Sequence, residues 1–219
     1  SLVGGLEIVD RSKAKFISFE GGEGAGKSTQ IQRLAVYIES CGIQVCTTRE
    51  PGGSVGAEEI RDLLVEGDVD RWDSTTETLL LAAARRSHMG DLITPALENG
   101  DWVLCDRFID STKAYQGYGQ GLDLAVIAQL QEIAVGNFIP DLTILLDISV
   151  EDGLARAASR GGAARYEQMD ISMHLRIREG FLKMAAAEPD RFVIVDAGQS
   201  IDAVSVEIKN CIAGRFGLN

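Results

Sequence analysis

The sequence of 219 residues lacks the features that would place it in a membrane or outside the cell. No uninterrupted apolar run approaches the ~18 residues that a membrane-spanning helix needs. The first residues show neither the basic region nor the apolar region of a signal peptide. We therefore expect a cytoplasmic protein that has no membrane partner.

Cysteine is scarce, and its spacing fits neither a metal site nor a disulfide framework. The four cysteines, Cys41, Cys46, Cys105 and Cys211, include no C-x-x-C pair. Cys105 lies in an apolar run that is typical of a buried strand. We expect reduced, mostly buried thiols, as in cytosolic proteins.

Positive charge is also in short supply. Lys and Arg number 21 against 33 Asp and Glu, which gives a formal net charge of -12. A chain of this charge disfavours binding to nucleic acid, so any bound anion must be met by a local group of cations. The 45% hydrophobic content is ordinary for a globular protein. The length favours a single domain over residues 1–219, with an N-terminal tail over about residues 1–14.

A glycine-rich segment predicts a phosphate-binding loop. Residues 21–28 have the sequence GGEGAGKS, which matches G-x-x-x-x-G-K-S. The glycines let successive backbone N–H groups point at phosphate oxygens, the Lys reaches the outer phosphates, and the Ser hydroxyl can bind Mg²⁺. A glycine turn without function is the weaker interpretation, because an apolar run precedes the loop and a helical pattern follows it. The predicted ATP-binding residues are Gly21, Gly22, Glu23, Gly24, Ala25, Gly26, Lys27, Ser28 and Thr29.

Strand and helix patterns alternate along the rest of the chain, which predicts an α/β fold of the P-loop NTPase type. The sheet would have five parallel strands and helices on both faces. Strands are expected at residues 16–19, 43–48, 102–105, 142–146 and 192–195. Helices are expected at residues 29–38, directly after the glycine-rich loop, and at residues 54–66, 74–99, 122–135, 150–159, 170–187 and 200–213. Residues 107–121 are expected to be a loop. The long helix should be largely buried and should kink or break at Pro95.

Ligands in such sheets lie beyond the carboxyl ends of the strands. This rule places residues 21–28 at the same edge as Arg49, Glu50, Asp106, Arg107 and Asp147. The sequence therefore predicts one site that combines a phosphate-binding loop with several charged groups.

Residues 106–117, DRFIDSTKAYQG, resemble the signature of the thymidylate kinase family, D-R-[FYH]-x-x-S-x-x-A-Y-Q-G. Residues 49–53, 83–85, 93–97 and 160–167 are similar to that family in the same order. The resemblance extends from about residue 16 to residue 196. It implies a nucleoside monophosphate kinase-like fold and a homodimer.

The same resemblance implies transfer of the γ-phosphoryl group of ATP to dTMP, which yields ADP and dTDP and uses Mg²⁺. Glu23 would contact the deoxyribose 3′-hydroxyl, and arginines would surround the acceptor. The implied dTMP-binding residues are Glu23, Arg49, Glu50, Pro51, Leu81, Arg85, Arg107, Ser111, Tyr115 and Gln116. The implied metal ligands are Ser28 and Asp106, and the implied catalytic residues are Lys27, Asp106, Arg107, Arg160 and Arg165.

A glycine-containing break at about residues 156–168 is expected to form a lid. The phosphate loop offers Lys27 as its cation, so arginines of the lid would supply further charge to the transition state. Arg160 and Arg165 lie in the break and are predicted to act in this way. Arg156 lies one turn earlier and is expected to brace the lid.

Several polar residues have a structural interpretation as well as a functional one. Arg85 follows Leu81 by four residues, so one helix face would offer an apolar surface for a base and a donor for its carbonyl. The alternative is a solvated arginine, which the preceding apolar run disfavours. For Asp147, His88 and His174 we favour structural roles.

Two other functions remain open at the level of sequence. One is a different nucleoside or nucleotide kinase, acting for example on dCMP or dAMP. The other is a P-loop nucleotide switch of the GTPase kind, although the N-K-x-D segment that reads guanine is missing.

Leu81 provides a first prediction, because the family usually has Phe at this position. Stacking of an aromatic ring on a base contributes ~1–3 kcal/mol in other sites. Leu81→Phe should therefore lower the KM for dTMP several-fold in steady-state assays. An unchanged KM in a folded variant would mean either that another aromatic residue, such as Phe108 or Tyr115, covers the base or that Leu81 does not face it.

Overall fold

The computed structural model describes residues 14–68, 70–159 and 165–218. Within these residues, five strands form one parallel sheet with the order β2-β3-β1-β4-β5. They are β1 (Phe16–Glu20), β2 (Val45–Arg49), β3 (Trp102–Asp106), β4 (Leu142–Asp147) and β5 (Phe192–Asp196). The α/β prediction is confirmed, and each predicted strand begins or ends within two residues of the observed one. The predicted tail, apart from Ala14, lies outside the described residues.

Helices connect consecutive strands. They are α1 (Lys27–Ser40), α2 (Val55–Val65), α3 (Ser74–His88), α4 (Thr94–Glu98), α5 (Ile109–Thr112), α6 (Leu124–Val135), α7 (Val150–Ala158), α8 (Ile171–Ala187) and α9 (Ile201–Phe216). π-Helical segments span Met89–Ile93 and Lys113–Gly119, and a 3-10 turn spans Arg165–Gln168. None of the described helices is long and apolar enough to cross a membrane.

The sheet is buried on both faces, as is usual for parallel strands. Every residue of β1 is buried. Ile17 and Phe19 pack with α1 and α9 on one face, whereas Phe16 packs with residues of α4 and α6 on the other. A third apolar cluster joins β4 to α8. The central position of β1 places the phosphate loop, which follows it, at the middle of the carboxyl edge.

The predicted helix over residues 74–99 is interrupted as expected. α3 ends at His88, a π-helical segment follows, and α4 begins at Thr94 beside Pro95. The pyrrolidine ring cannot donate the helical N–H hydrogen bond, so the ladder changes register before it. The expectation of burial was wrong for one face of α3, where Leu79 is half-exposed.

The prediction of a loop over residues 107–121 was also wrong, because residues 109–119 are helical. The side chain of Glu20, at the end of β1, accepts hydrogen bonds from the Phe108 N–H at 2.8 Å and from the Ser111 hydroxyl at 2.5 Å. These contacts bind the start of the segment from a distant part of the chain. The local sequence carries no sign of them, since no apolar helical period is present.

A buried ion-pair network holds this helical segment to the far end of the sheet. Asp110 is fully buried and accepts bonds from Arg191 Nη1 at 2.6 Å and Nη2 at 3.0 Å. Arg191 also donates to Glu188 through Nε at 2.7 Å. Burial opposes the charge on Arg191, but the bonds to Asp110 and Glu188 prevail and raise its pKa. The network therefore ties α5 to the turn before β5.

We predict that Arg191→Met destabilises the fold by about 3 kcal/mol, because it leaves the Asp110 carboxylate buried without its main partner. Urea unfolding followed by circular dichroism measures this loss. Arg33→Met is the matched control, because Arg33 pairs with Asp202 in a largely exposed bridge. That control should cost less than about 1 kcal/mol. Equal losses in the two variants would contradict the prediction.

Candidate active site

The carboxyl ends of β1, β2 and β3 surround a cavity of about 410 Å³. It is lined by most of the residues that the sequence predicted for the site. They are Glu23, Gly24, Ala25, Gly26, Lys27, Ser28, Arg49, Glu50, Pro51, Leu81, Arg85, Asp106, Arg107, Ser111, Tyr115 and Gln116. The structure thus brings the phosphate loop and the predicted acceptor residues to one cavity.

The remaining predicted residues lie elsewhere. Gly21 and Gly22 line a much smaller cavity together with His174. Thr29 is exposed on α1. Arg165 is buried away from the phosphate loop, as described below, and Arg160 lies outside the described residues.

The phosphate loop encloses the ammonium group of Lys27. Lys27 Nζ donates to the carbonyl oxygens of Gly21 at 3.4 Å and Gly22 at 3.3 Å. Gly24 and Gly26 have positive φ angles of 70° and 88°, a conformation that glycine adopts without steric cost. Burial and the nearby Arg107 lower the pKa of Lys27, against the attraction of nearby carboxylates. The loop can therefore present a desolvated cation to the phosphates.

The two predicted metal ligands are neighbours. Ser28 Oγ donates to Asp106 Oδ2 at 2.8 Å, across the cavity edge between α1 and β3. Magnesium in nucleotide sites takes one or two protein oxygens and completes its shell with phosphates and water. This pair of oxygens fits that demand. No group of three or more His, Cys, Asp or Glu side chains able to hold a metal occurs in the part of the chain that the structure describes.

Arg107 connects the phosphate loop to the acceptor side. Its Nη2 pairs with Glu23 Oε1 at 2.9 Å, and its Nη1 donates to Gly21 O at 3.0 Å and Ser111 Oγ at 3.2 Å. Tyr115 donates to the same Glu23 oxygen at 2.6 Å. Burial alone would raise the pKa of Glu23, but Arg107, Lys27 and the Tyr115 hydroxyl lower it to about 2. Glu23 is therefore a carboxylate at neutral pH.

The backbone of Arg107 has φ 69°, which is unusual for a residue other than glycine. The Glu20 side chain accepts a hydrogen bond from the N–H of the next residue, Phe108. Burial and the nearby Asp110 raise the pKa of Glu20 to about 8, although the contacts with Ser111, Arg107 and Phe108 oppose this. Sequence reasoning missed Glu20. The signal was an acidic residue directly after an apolar strand pattern and before the glycine-rich loop.

The acceptor side carries paired arginines. Arg49 Nη2 lies 3.0 Å from Glu58 Oε2, near the surface. Arg85 is buried and donates from Nε to Glu50 Oε2 at 2.6 Å and from Nη2 to Thr112 Oγ1 at 3.0 Å. Each guanidinium is thus oriented by the protein before a ligand arrives.

Two residues given structural interpretations are engaged in ion pairs or hydrogen bonds. His88 Nδ1 lies 3.1 Å from Glu50 Oε1, and its Nε2 lies 2.7 Å from Thr48 Oγ1. Asp147 accepts two bonds from Arg178, at 2.7 Å and 2.8 Å. These contacts agree with structural roles for both residues.

The arginines near the predicted lid have different surroundings. Arg156 Nη1 donates to Ala197 O at 2.9 Å, which agrees with a bracing role. Arg165 is fully buried, pairs with Glu77 and donates to the Asp68 carbonyl at 3.0 Å. To serve as a catalytic arginine, Arg165 would have to leave these partners, so that role stays a prediction.

Sequence reasoning missed other cavity residues. Arg61 lines the cavity and donates to Pro51 O at 2.6 Å, and Tyr166 lines it from the segment after the lid. Glu77, behind the cavity, was missed as well. Its position four residues before Leu81 and eight before Arg85 was the available signal, because all three then share one helix face.

These geometric features can be compared with known proteins. The model of the family described as thymidylate kinase matches residues 19–208. The chain belongs to the thymidylate kinase family. The Caulobacter vibrioides thymidylate kinase is 54% identical over 203 residues, which cover 93% of this chain and 98% of that protein. The Magnetococcus marinus thymidylate kinase is 49% identical, with coverages of 93% and 98%.

A solved structure leads to the same family. The crystal structure of thymidylate kinase from Ehrlichia chaffeensis superposes with a TM-score of 0.74 at 36% identity. The match covers 91% of this chain and 98% of that one. The family resemblance and the P-loop nucleoside monophosphate kinase fold are thereby confirmed.

A glycine of α7 allows the phosphate loop to pack closely against that helix. A Cβ atom on Gly153 would lie 2.4 Å from the carbonyl oxygen of Glu23, and a Cβ atom on Gly24 would lie 1.9 Å from that of Gly153. Neither approach is compatible with a side chain. Gly153 therefore sets the position of the loop from outside its sequence motif.

We predict that Gly153→Ala lowers kcat/KM for ATP by at least about tenfold, because a small displacement of the loop misaligns the phosphates. Steady-state kinetics with varied ATP measures this effect. Gly214→Ala in α9 is the matched control, since its Cβ would meet nothing within 4 Å. It should keep full activity and gain about 0.5–1 kcal/mol of stability. Normal ATP kinetics in Gly153→Ala would contradict the packing argument.

Proposed function

We propose that this protein transfers the γ-phosphoryl group of ATP to dTMP, yielding ADP and dTDP. The observation that carries the proposal is the shared cavity, where the phosphate loop faces Leu81, Arg85 and Gln116 in a chain of the thymidylate kinase family. Phosphoryl transfer requires mainly positioning and charge, and the cavity offers both. No feature of the site favours a nucleotide switch or a different acceptor.

In this proposal, ATP binds with its phosphates on residues 21–28 and Lys27 supplies charge to the transferred group. Lys27 is buried in the loop, so its charge acts in a medium of low polarity. Arg107 reaches both substrates from its position between Glu23 and Ser111. Glu23, held as a carboxylate, accepts a hydrogen bond from the 3′-hydroxyl group of dTMP.

The thymine base lies against Leu81, and Arg85 faces its carbonyl. Nε and Nη2 of Arg85 are engaged by protein groups, and the described residues give Nη1 no hydrogen-bond partner. Nη1 is thus the nitrogen left to serve a ligand. Arg49, Glu50, Pro51, Ser111, Tyr115 and Gln116 complete the acceptor site.

Magnesium belongs to the proposal because Ser28 and Asp106 present suitable oxygens side by side. When bound, Mg²⁺ would neutralise charge on the phosphates of ATP. The protein's own part is to fix these two oxygens at the ends of α1 and β3. Asp106 also keeps its place through the backbone, because its carbonyl accepts the Glu50 N–H at 2.9 Å.

Three further parts of the proposal concern the lid, the assembly and the location. Arg160, and Arg165 once released from Glu77, would deliver charge to the transition state.

A homodimer is consistent with exposed apolar side chains on the packed helices α3 and α6, Leu79 and Ile133. The four free cysteines are consistent with a reducing, cytoplasmic environment.

The deciding assay incubates the protein with ATP and either dTMP, dUMP, dCMP or no acceptor. Nucleotides are then separated by chromatography. We expect dTDP to form fastest, with little free phosphate when no acceptor is present. Hydrolysis of ATP without transfer would instead support a switch, and preferred phosphorylation of dCMP would support another kinase.

Lys27→Ala should abolish this transfer and leave the fold intact. Lys183→Ala is the matched control, because Lys183 is exposed, pairs with Glu179 on the same helix and does not line the cavity. The control should retain wild-type activity, and circular dichroism should show both variants folded. Activity of Lys27→Ala within about tenfold of wild type, or about 1.4 kcal/mol in barrier, would refute the role of Lys27.

A further inference from the structure

A buried carboxylate behind the cavity holds the side chain that faces the base. Glu77, in α3, is fully buried and does not line the cavity. Its Oε1 accepts hydrogen bonds from Gln116 Nε2 at 2.6 Å and Gln120 Nε2 at 2.8 Å. Its Oε2 pairs with the guanidinium of Arg165. All of these partners donate, so Glu77 acts here as an acceptor for three N–H groups.

This arrangement fixes which end of the Gln116 amide faces the cavity. A carboxylate can only accept hydrogen bonds, so the amide must turn its NH₂ group toward Glu77. Gln116 lines the cavity beside Leu81 and Arg85. The side-chain carbonyl oxygen of Gln116 is then the atom that remains to accept a hydrogen bond from a ligand. If the amide were reversed, two oxygens would meet at 2.6 Å in a buried place. The charge on Glu77 therefore excludes the reversed amide.

The helix brings this carboxylate into line with the base site. Glu77, Leu81 and Arg85 are spaced by four residues along α3 and so share one face. Glu77 also fixes the orientation of a second amide, that of Gln120, which does not line the cavity. Its NH₂ group faces Glu77 although its own Oε1 is buried without a hydrogen-bond partner among the described residues. The hydrogen bond from Gln120 Nε2 to Glu77 therefore fixes the orientation of the Gln120 amide, although it leaves the amide oxygen without a hydrogen bond.

We propose that Glu77 is a positioning residue that sets the base specificity of the acceptor site through Gln116. Because the amide is held with its oxygen toward the cavity, it accepts a hydrogen bond from a base that carries a ring N–H. Thymine and uracil carry such a proton at N3, whereas cytosine has an acceptor there. This inference rests on the proposed function. It adds that the selection against cytosine comes from a residue that does not touch the base.

The test measures kcat/KM for dTMP and for dCMP in Glu77→Gln, a substitution of similar size. The new amide can donate to Gln116, so the Gln116 side chain becomes free to turn. We expect the dTMP/dCMP ratio to fall by at least about tenfold, since sites built around a buried hydrogen bond discriminate strongly. The KM for dTMP should change more than kcat. Because both substrates are measured on one preparation, the ratio does not depend on the folded fraction.

Gln120→Met is the matched control. It removes the other donor on the same Glu77 oxygen but leaves Glu77 and Gln116 in place, and Gln120 does not line the cavity. Its dTMP/dCMP ratio should stay at the wild-type value. Arg85 is unchanged in all variants, so a change in the ratio reports the two cavity residues that hydrogen-bond to Glu77, which are Gln116 and Tyr166.

A charge-balanced variant covers the case in which Glu77→Gln fails to fold, because that change leaves Arg165 buried without its partner. Glu77→Gln combined with Arg165→Met removes both charges, a replacement that proteins often tolerate. Its dTMP/dCMP ratio should also fall.

A ratio within about twofold of wild type in the folded Glu77 variants would overturn the proposal, since a site built around this hydrogen bond should lose far more. A fall of equal size in Gln120→Met would overturn it too. Failure of the wild-type protein to phosphorylate dTMP would instead refute the proposed function. The two failures are therefore distinguishable.

Discussion

The site depends on the contact between Arg107 and the phosphate loop. Arg107 follows β3 and the loop follows β1, and these strands are neighbours in the sheet. One guanidinium bonds to Gly21 and Glu23 of the loop and to Ser111 of the acceptor side. The left-handed backbone at Arg107 is costly, and the buried Glu20 side chain helps to stabilise it by accepting a hydrogen bond from the next N–H group. The residue that follows β3 thus contacts both the phosphate loop and the acceptor side.

The protein carries a formal net charge of -12, yet its cavity gathers Lys27, Arg49, Arg85 and Arg107. Each of these arginines is paired with a glutamate: Arg49 with Glu58, Arg85 with Glu50 and Arg107 with Glu23. Such pairs reduce the repulsion between cations that lie close together, and they fix each guanidinium in one orientation. A cation group can therefore exist locally in an acidic protein, and its positions do not have to be created by the ligand.

Sequence patterns predicted the fold and most of the cavity because both follow from local rules. The glycine-rich loop, the apolar strands and the residues that follow them are fixed by short-range spacing, and parallel strands then bring them together. What could not be predicted depends on contacts between distant residues. The helical residues 109–119 require Glu20, and the buried place of Arg165 requires Glu77. A single sequence does not show which residues pair. An acidic residue next to an apolar strand or on a helix face shared with apolar residues indicates only that some buried partner is needed.

The two substrates are served by different elements, and this division explains why α3 carries so many buried polar groups. ATP is assigned to the loop between β1 and α1, whereas Glu77, Leu81, Arg85 and His88 all belong to α3. Every buried polar side chain in this set has a partner outside the helix: Gln116 for Glu77, and Glu50 for Arg85 and His88. These partners follow β2 and β3, so the acceptor site is held by α3 on one side and the sheet on the other. A substitution at Glu77 is therefore expected to alter which base is accepted without contact with the phosphate loop.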